Sequence, residues 1–348
     1  MQAAVLDAFD AQVRLADVEP AKPGAGEVLI DVVACGVGLT LERARTGALG
    51  GATPRVVGHE IGGVVAEVGA GVTGWSDGDR VTTSFYLTCD RCRWCAGGRE
   101  TLCENWGGFI GIHVDGGLAE QVVLPAHGLV RVPDEVGLAE AAIAADAIAT
   151  PYHALTTRAA VLPGRTVAVI GAGGGVGVHT VAVARALGAR VVAIEREPKK
   201  LSLLAGMGCD VVCSPGDDRD WGARLRADVS RPVDVCVDTV ASSSTLTAAV
   251  GLVGRAGTVI VVGFQAGSGI DLDPRPLVLD EVAITGSRYA TRAEIIATLD
   301  LVALRQVEPV IGARYPLRDV AEAYRAMQEN DVFGRIVVDV AADPLRQR

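Results

Sequence analysis

Four cysteines, Cys89, Cys92, Cys95 and Cys103, fall within fifteen residues of one polar stretch, CDRCRWCAGGRETLC. Steps that short let thiols converge tetrahedrally on one ion, and four thiolates leave no position for water or substrate, so the spacing predicts a structural zinc. An iron-sulfur cluster and free thiols are the rivals; the spacing is unlike the ferredoxin runs and favours zinc. A second constellation is made of glycine. The run TVAVI leads straight into Gly171-Ala172-Gly173-Gly174-Gly175-Val176-Gly177 and a helical stretch, and Glu195 closes the next apolar run eighteen residues beyond Gly177. Glycines there let the backbone turn tightly and approach a pyrophosphate, whose charge sits at the helix N-terminus among unpaired amide donors. A carboxylate after the second strand accepts hydrogen bonds from the adenosine ribose hydroxyls and repels a 2'-phosphate. The expected cofactor is therefore NAD(H) rather than NADP(H), although Arg196 could pair with that phosphate. Val240, Val262 and Gly263 complete the candidate cofactor contacts.

These groups need elements to hold them. Residues 1–150 carry short alternating apolar runs such as EVLIDVVACGV, GGVVAEVGAGV and LAEQVVLPA between turn residues, which predicts an all-β, barrel-like domain bearing the cysteine lobe at 86–107. Over 151–290 apolar runs alternate with helical stretches: TVAVIGA, VGVHTVAVARALGA, RVVAIE, PKKLSLLAGMG, VDVCVDTV, STLTAAVGLVG and TVIVVGF. Those are βαβ units on a parallel sheet covered on both faces, the doubly wound nucleotide-binding architecture. The last segment, 291–348, with its ARYPLRDVAEAYRAMQENDVFGRIVVDV, reads as a helix then a strand that returns to the first domain. Val282 to Ser287 is the expected sheet edge, where subunits would pair into a homodimer or homotetramer.

At 348 residues two domains are expected, and 49% apolar residues with a net charge of -10 suit a globular protein. That charge argues against nucleic acid or an anionic membrane and for a small-molecule substrate. The stretch Val167 to Ala184 is apolar enough to pass for a membrane span, but its middle is GAGGGVG and it contains His179. The start, MQAAVLDAFDAQVRL, lacks the basic and apolar regions of a secretory signal, so the expected location is the cytoplasm, where eight cysteines stay reduced. Cys209, Cys213 and Cys236 read as core; His113, His127 and His179 as surface or turn residues. Lysine occurs only as Lys22, Lys199 and Lys200, a bias to which no mechanism attaches.

Taken together, the strand leading to Ala34-Cys35-Gly36-Val37, Gly58-His59-Glu60, the cysteine lobe, Asp115-Gly116-Gly117-Leu118-Ala119-Glu120, the glycine turn and Phe333-Gly334-Arg335 resemble the zinc-type medium-chain dehydrogenase family over essentially the whole chain. The resemblance implies an N-terminal GroES-like catalytic domain, a Rossmann nucleotide domain, and hydride transfer between an alcohol and NAD. It also implies a catalytic zinc held by a cysteine, the histidine of Gly-His-Glu and a cysteine or aspartate before the nucleotide domain, here His59 and Asp146 with Glu60 beside them.

The first ligand is missing. Against the family's Ala-Cys-Gly-Val-Cys-x-Thr-Asp-x-His, this chain reads Ala34-Cys35-Gly36-Val37-Gly38-Leu39-Thr40-Leu41-Glu42-Arg43. Gly38 stands where the thiolate should be, Leu41 where a carboxylate orients the zinc-bound histidine, and Arg43 where the proton-relay histidine lies; Thr40 survives. Cys35 coexists with the ligand cysteine in the family pattern and so reads as structural. The expectation is a catalytic position without functional zinc. His59, oriented by Asp146 and Glu60, would then serve as acid or base, with Thr40 as donor and Arg43 as fixed charge; equally, His59 and Glu60 could be remnants satisfying buried hydrogen bonds. Tyr152 and His153 either border the cleft or mark a helix start. An NAD(H)-dependent alcohol/carbonyl oxidoreductase leads, a zinc-independent reductase of C=C or C=N bonds is the alternative, and a non-catalytic nucleotide-binding protein is the third.

Overall fold

The computed structural model describes residues 1–215, 221–265, 267–270 and 272–343, so 344–348 of the returning segment lie outside the described residues. The chain divides into two compact units, Met1–Ala149 with the segment from Ala290, and Thr150–Tyr289. No helix among the described residues is long and apolar enough to cross a membrane.

The first unit is organised by strand Glu27–Val37, whose apolar residues are buried almost throughout. One edge pairs antiparallel with Glu60–Val68. The other edge is shared: Glu27 to Asp31 pair with Gln121–Pro125, and Ala34 to Val37 with Arg335–Asp339. The C-terminal strand therefore completes the sheet of the N-terminal domain, and the first residues of strands 60–68 and 335–339 arrive at the same end of the central strand. Ile30, Val32, Ile61, Val65, Leu118, Leu124, Ile336 and Val338 fill the core between, each large aliphatic chain contributing roughly 1.5–3 kcal/mol. Helix Val320–Glu329 closes one side with Val320, Ala323, Tyr324 and Met327, the three-four spacing of a buried helical stripe.

The returning segment holds more than a helix and a strand. Helix Arg292–Ala303, started by a Thr291–Glu294 capping box, precedes it. Strand Ile311–Pro316, half-buried and parallel to Arg335–Asp339, forms the sheet edge. Four of its six residues are Gly, Ala, Arg and Pro, so the strand lacks the branched apolar alternation by which strands are recognised.

The second unit is a six-stranded parallel sheet in the order 211–213, 190–194, 166–170, 233–238, 253–261, 283–286. This is the doubly wound order, with its reversal between 166–170 and 233–238, beyond whose carboxyl ends ligands bind in such sheets. Strand Ala283–Gly286 is an edge of it. The apolar stretch after Val167 is strand Thr166–Ile170 followed by helix Gly177–Ala186. His179 is fully buried in that helix, its Nδ1 2.6 Å from the Gly175 carbonyl oxygen, which corrects its assignment to the surface or a turn. The helix face that carries His179 is packed inward, and the Gly175 carbonyl satisfies the buried ring nitrogen. His113 lies in a turn and His127 is exposed, as expected.

Candidate active site

Gly36 and Gly38 shape the catalytic region. Glu60 is the register partner of Gly36 across the sheet, and a Cβ at Gly36 would collide with the Glu60 carboxylate. The bare backbone of Gly36 thus leaves room for that side chain to lie across the strand. From the opposite neighbour Arg335 reaches over the same strand, and its Nε donates to Glu60 Oε2 at 3.0 Å while Nη2 pairs with Oε1. A Cβ at Gly38 would lie 2.5 Å from Nη2 of Arg335 and nearer still to Nη1. The guanidinium therefore fills the place from which a cysteine at position 38 would project. Nη2 is also 3.6 Å from Asp146 Oδ2.

Asp146 sits on a π-helical turn, Ala144–Ile148, inside the helical run that begins at Leu138. Such turns are rare and often mark functional positions, because the wider turn re-aims a side chain. Its Oδ2 lies 3.1 Å from His59 Nε2. Facing a carboxylate, Nε2 is the protonated nitrogen and donates. Nδ1 of His59 is enclosed and has no hydrogen-bond partner among the described residues. The ring packs on Phe85, centroids 4.2 Å apart, and Phe85 stacks on Phe109 at 4.5 Å.

His59, Glu60, Asp146 and Arg335 are all buried. Burial pushes the Glu60 carboxyl up, and Arg335 pulls it back towards the charged form. Burial and then the Glu60 charge push the Cys35 thiol up; it is fully buried, and a Cβ at Gly58, itself at φ 102°, would press to 2.9 Å of its sulfur. A protonated, enclosed thiol is packing material, not a ligand.

The structure thus brings His59, Glu60 and Asp146 within 4.8 Å of one another. Thr40 is buried and Arg43 half-buried on helix Leu39–Arg45, which starts directly after Gly38. Tyr152 and His153 lie within helix Ala149–His153, preceded by helical residues, so neither marks a helix start. Arg335 was visible in sequence only as part of a terminal motif, with no role attached; its side chain becomes meaningful once strand pairing places it beside Gly38.

A catalytic zinc does not fit these residues well. A metal-bound histidine normally donates its second ring nitrogen to an acceptor, and here that atom has none. Glu60 is committed to Arg335, and a cation occupies the first ligand's position. The cysteine lobe is different. It hangs from the two-stranded sheet Tyr86–Leu87 with Gly108–Phe109, and the four sulfurs lie within 4.8 Å of one another. Cys92 Sγ is 3.5 Å from Cys95 Sγ and 3.9 Å from Cys103 Sγ, whereas thiolates about 2.3 Å from one tetrahedral zinc would be about 3.8 Å apart. Backbone N–H groups, led by that of Cys95, pull the Cys92 thiol down to about 6, while burial pushes the Cys95 and Cys103 thiols up. This lobe fits zinc.

In the second unit the glycine turn meets its expected partners. Gly171 is at φ 76°, open to glycine without strain, and a Cβ there would press 2.9 Å from Val240 Cγ2. A Cβ at Gly177 would collide with the Gly171 carbonyl oxygen, and one at Gly263 with that of Thr239. Val262 N–H donates to the Asp238 carbonyl at 3.0 Å, holding Val262 and Gly263 at the same sheet end. Glu195 is anchored by the N–H groups of Gly173, Arg196 and Glu197, and the Arg196 side chain is exposed. Helix Gly177–Ala186 has no side-chain N-cap, as an amide cluster reserved for a pyrophosphate should be. Lys200 is buried, its Cδ 2.8 Å from the Cβ position of Gly173. These residues fit NAD.

Known proteins agree with this architecture. The family description "Alcohol dehydrogenase GroES-like domain" matches residues 24–134, and "Zinc-binding dehydrogenase" matches residues 175–303. An alcohol dehydrogenase of Geobacillus stearothermophilus is 34% identical over 343 residues, covering 98% of this chain and all of its own. The chain belongs to the zinc-binding alcohol dehydrogenase family. The structure titled AibC is 35% identical with TM-score 0.89, covering 97% of this chain and 95% of that one. The cobalt- and zinc-bound thermostable alcohol dehydrogenase of Pyrobaculum aerophilum is 33% identical with TM-score 0.87, covering 98% and 99%. Membership makes the protein an oxidoreductase of the medium-chain type with a GroES-like and a Rossmann unit.

Proposed function

We propose that the protein is an NAD(H)-dependent oxidoreductase interconverting an alcohol and a carbonyl, with a structural zinc on Cys89, Cys92, Cys95 and Cys103 and no functional zinc at His59 and Asp146. The observation that carries the second half is the guanidinium of Arg335 seated where Gly38 leaves out a ligand side chain. NAD supplies the hydride acceptor or donor, and Glu195, Val240 and the turn Gly171 to Gly177 orient it. Preference for NAD rests on the Glu195 carboxylate, fixed by three backbone N–H groups, which a 2'-phosphate would meet as a like charge. In alcohol oxidation the carbinol C–H pair leaves as hydride and the O–H proton passes to protein. His59 and Asp146 act as the acid–base pair in this reading, the proton being taken up on the Asp146 carboxylate that His59 Nε2–H holds, with Thr40 as hydroxyl donor and Arg43 as a fixed charge.

The same buried constellation supports a second reading, reduction of a C=C or C=N bond conjugated to an acceptor heteroatom, which needs a hydrogen-bond donor but no metal-bound alkoxide. The relatives' printed activity favours the first. Pairing through edge strand Ala283–Gly286 would give a homodimer or homotetramer.

Metal analysis of purified protein together with a panel of alcohols, ketones, enones and imines tests this. About one zinc per chain with turnover of alcohols or ketones is expected. About two zinc ions per chain would sink the metal-free reading, and turnover confined to enones or imines would replace the first activity with the second.

A further inference from the structure

We infer that the cysteine lobe is a metal-dependent clamp: a zinc ion on its four thiolates fixes Asp90 and Glu100, these two carboxylates hold Arg292, and the helix that Arg292 begins braces the turn carrying Asp146. The inference rests on the structural zinc proposed above and is independent of whether a second metal binds at His59.

The lobe has little of its own to keep it folded. Within 89–103 the buried residues are Cys92, Glu100, Thr101 and Cys103, without one aliphatic side chain among them. A segment so poor in apolar contacts takes its folding free energy from the ion that its thiolates share. What lies between the ligands is therefore placed by the metal. Asp90 sits on the turn between Cys89 and Cys92 at φ 54°, its Oδ1 accepting from the Thr88 hydroxyl at 2.6 Å. Glu100 begins the short helical turn Glu100–Leu102 between Cys95 and Cys103.

Both carboxylates reach Arg292, across 202 and 192 positions of chain. The guanidinium forks onto Asp90, Nη2 donating to Oδ1 at 2.8 Å and Nη1 to Oδ2 at 3.2 Å, and Nη1 also donates to the His127 carbonyl. A bidentate pair fixes orientation as well as distance. The Arg292 backbone N–H donates to Glu100 Oε1 at 2.8 Å. That N–H opens helix Arg292–Ala303 and, as at every helix start, has no partner within the helix. A buried carboxylate from the lobe thus caps the helix where its dipole favours negative charge. Tyr86, on the strand that leads into the lobe, donates its hydroxyl hydrogen to the Ala290 carbonyl. The lobe therefore grips the chain at the point where it returns to the first unit.

The helix carries that grip inward. Ile295, Thr298 and Leu299 form its buried stripe. It packs on the π-helical turn Ala144–Ile148, whose Asp146 holds His59 Nε2 at 3.1 Å. With metal bound, the lobe is ordered and the helix start is capped. Without it Asp90 and Glu100 let go of Arg292, the first turn of the helix frays, and the turn of Asp146 loses its brace. An order–disorder element at the lobe is in this way read out at a buried acid–histidine pair.

Hydrogen exchange followed by mass spectrometry on the full-length protein tests the clamp. Stripping zinc with a chelator under thiol reductant should speed exchange at least about tenfold at 291–299 and 144–148 as well as in the lobe, and leave strand Gln121–Pro125 of the same unit unchanged. Arg292→Met should keep about one zinc per chain and a protected lobe, yet speed exchange at 144–148 in the same way. Zinc-free protein that keeps 291–299 protected overturns the clamp, as does Arg292→Met with native exchange at 144–148. If zinc removal unfolds the chain throughout, the zinc-loaded Arg292 variant decides. Native protein purified without zinc but with a protected lobe would sink the structural-zinc reading and the clamp with it, whereas zinc in the lobe with no effect at 144–148 would sink the clamp alone.

Discussion

Replacing Arg335 by methionine should destabilise the first unit far more than loss of its apolar stem would suggest. The guanidinium is buried and forms a bidentate pair with a Glu60 carboxylate that is itself fully enclosed. Methionine keeps much of the apolar volume but strands the carboxylate. Removing one partner of a buried pair costs about 3–5 kcal/mol, because the remaining charge is uncompensated. At roughly 2–4 °C per kcal/mol for a unit of this size, the melting temperature should fall by roughly 6–20 °C. Burial already raises the Glu60 carboxyl and Arg335 opposes that rise, so in Arg335→Met the folded-state value climbs further. A carboxyl whose folded value lies above its unfolded value destabilises the native state above that folded value and recovers stability as pH falls towards the unfolded one. The loss measured by circular dichroism should therefore shrink between pH 8 and about pH 5. Adding Glu60→Gln should recover much of it, a coupling visible in a double-mutant cycle. Melting of Arg335→Met within about 2 °C of the native protein at neutral pH, or strict additivity with Glu60→Gln, would refute the reasoning.

Other outcomes follow from the remaining sites. Cys103→Ser should release the lobe's zinc, so that metal content drops from about one per chain to near zero; retention of full zinc would count against the four-thiolate site. Glu195→Ala removes a charge that three N–H groups hold in place, and the ratio of kcat/KM for NAD over NADP should fall about 10²-fold, a charged hydrogen bond being worth about 1.5–3 kcal/mol. Gly177→Ala drives a methyl group into the Gly171 carbonyl, which should weaken NADH binding at least about tenfold and cost about 1–3 kcal/mol in stability. Asp238 is buried, with its carboxyl pushed up by burial and Oδ2 without a partner. Its folded value lies above its unfolded one, so its charge destabilises the protein above that value, and the native protein should gain stability relative to Asp238→Asn as pH falls from 8 to about 5 in urea titrations.

How far the chain could be read as text depended on the distance over which each feature is built. The thiol cluster spans a single loop, and the nucleotide turn lies between one strand and the next helix; both are local, and both were legible as clusters from their spacing. Gly38 was legible as a missing ligand because a short motif surrounds it. What filled the space was not. Arg335 meets Glu60 across 275 positions, and no periodicity in either segment announces that contact. Lys200 was passed over for a similar reason: its burial against Gly173 depends on how helix Pro198–Gly206 packs, not on its neighbours in the chain.

Sequence alone determined which chemistries were open here, since side-chain type and short spacing decide whether thiols can share an ion or amides a phosphate. Only the tertiary structure decided which side chain lies beside Gly38. Hydrogen bonding of strand Arg335–Asp339 along the half of Glu27–Val37 left free by Gln121–Pro125 sets that strand's register, and register places a guanidinium over a glycine from the far end of the chain.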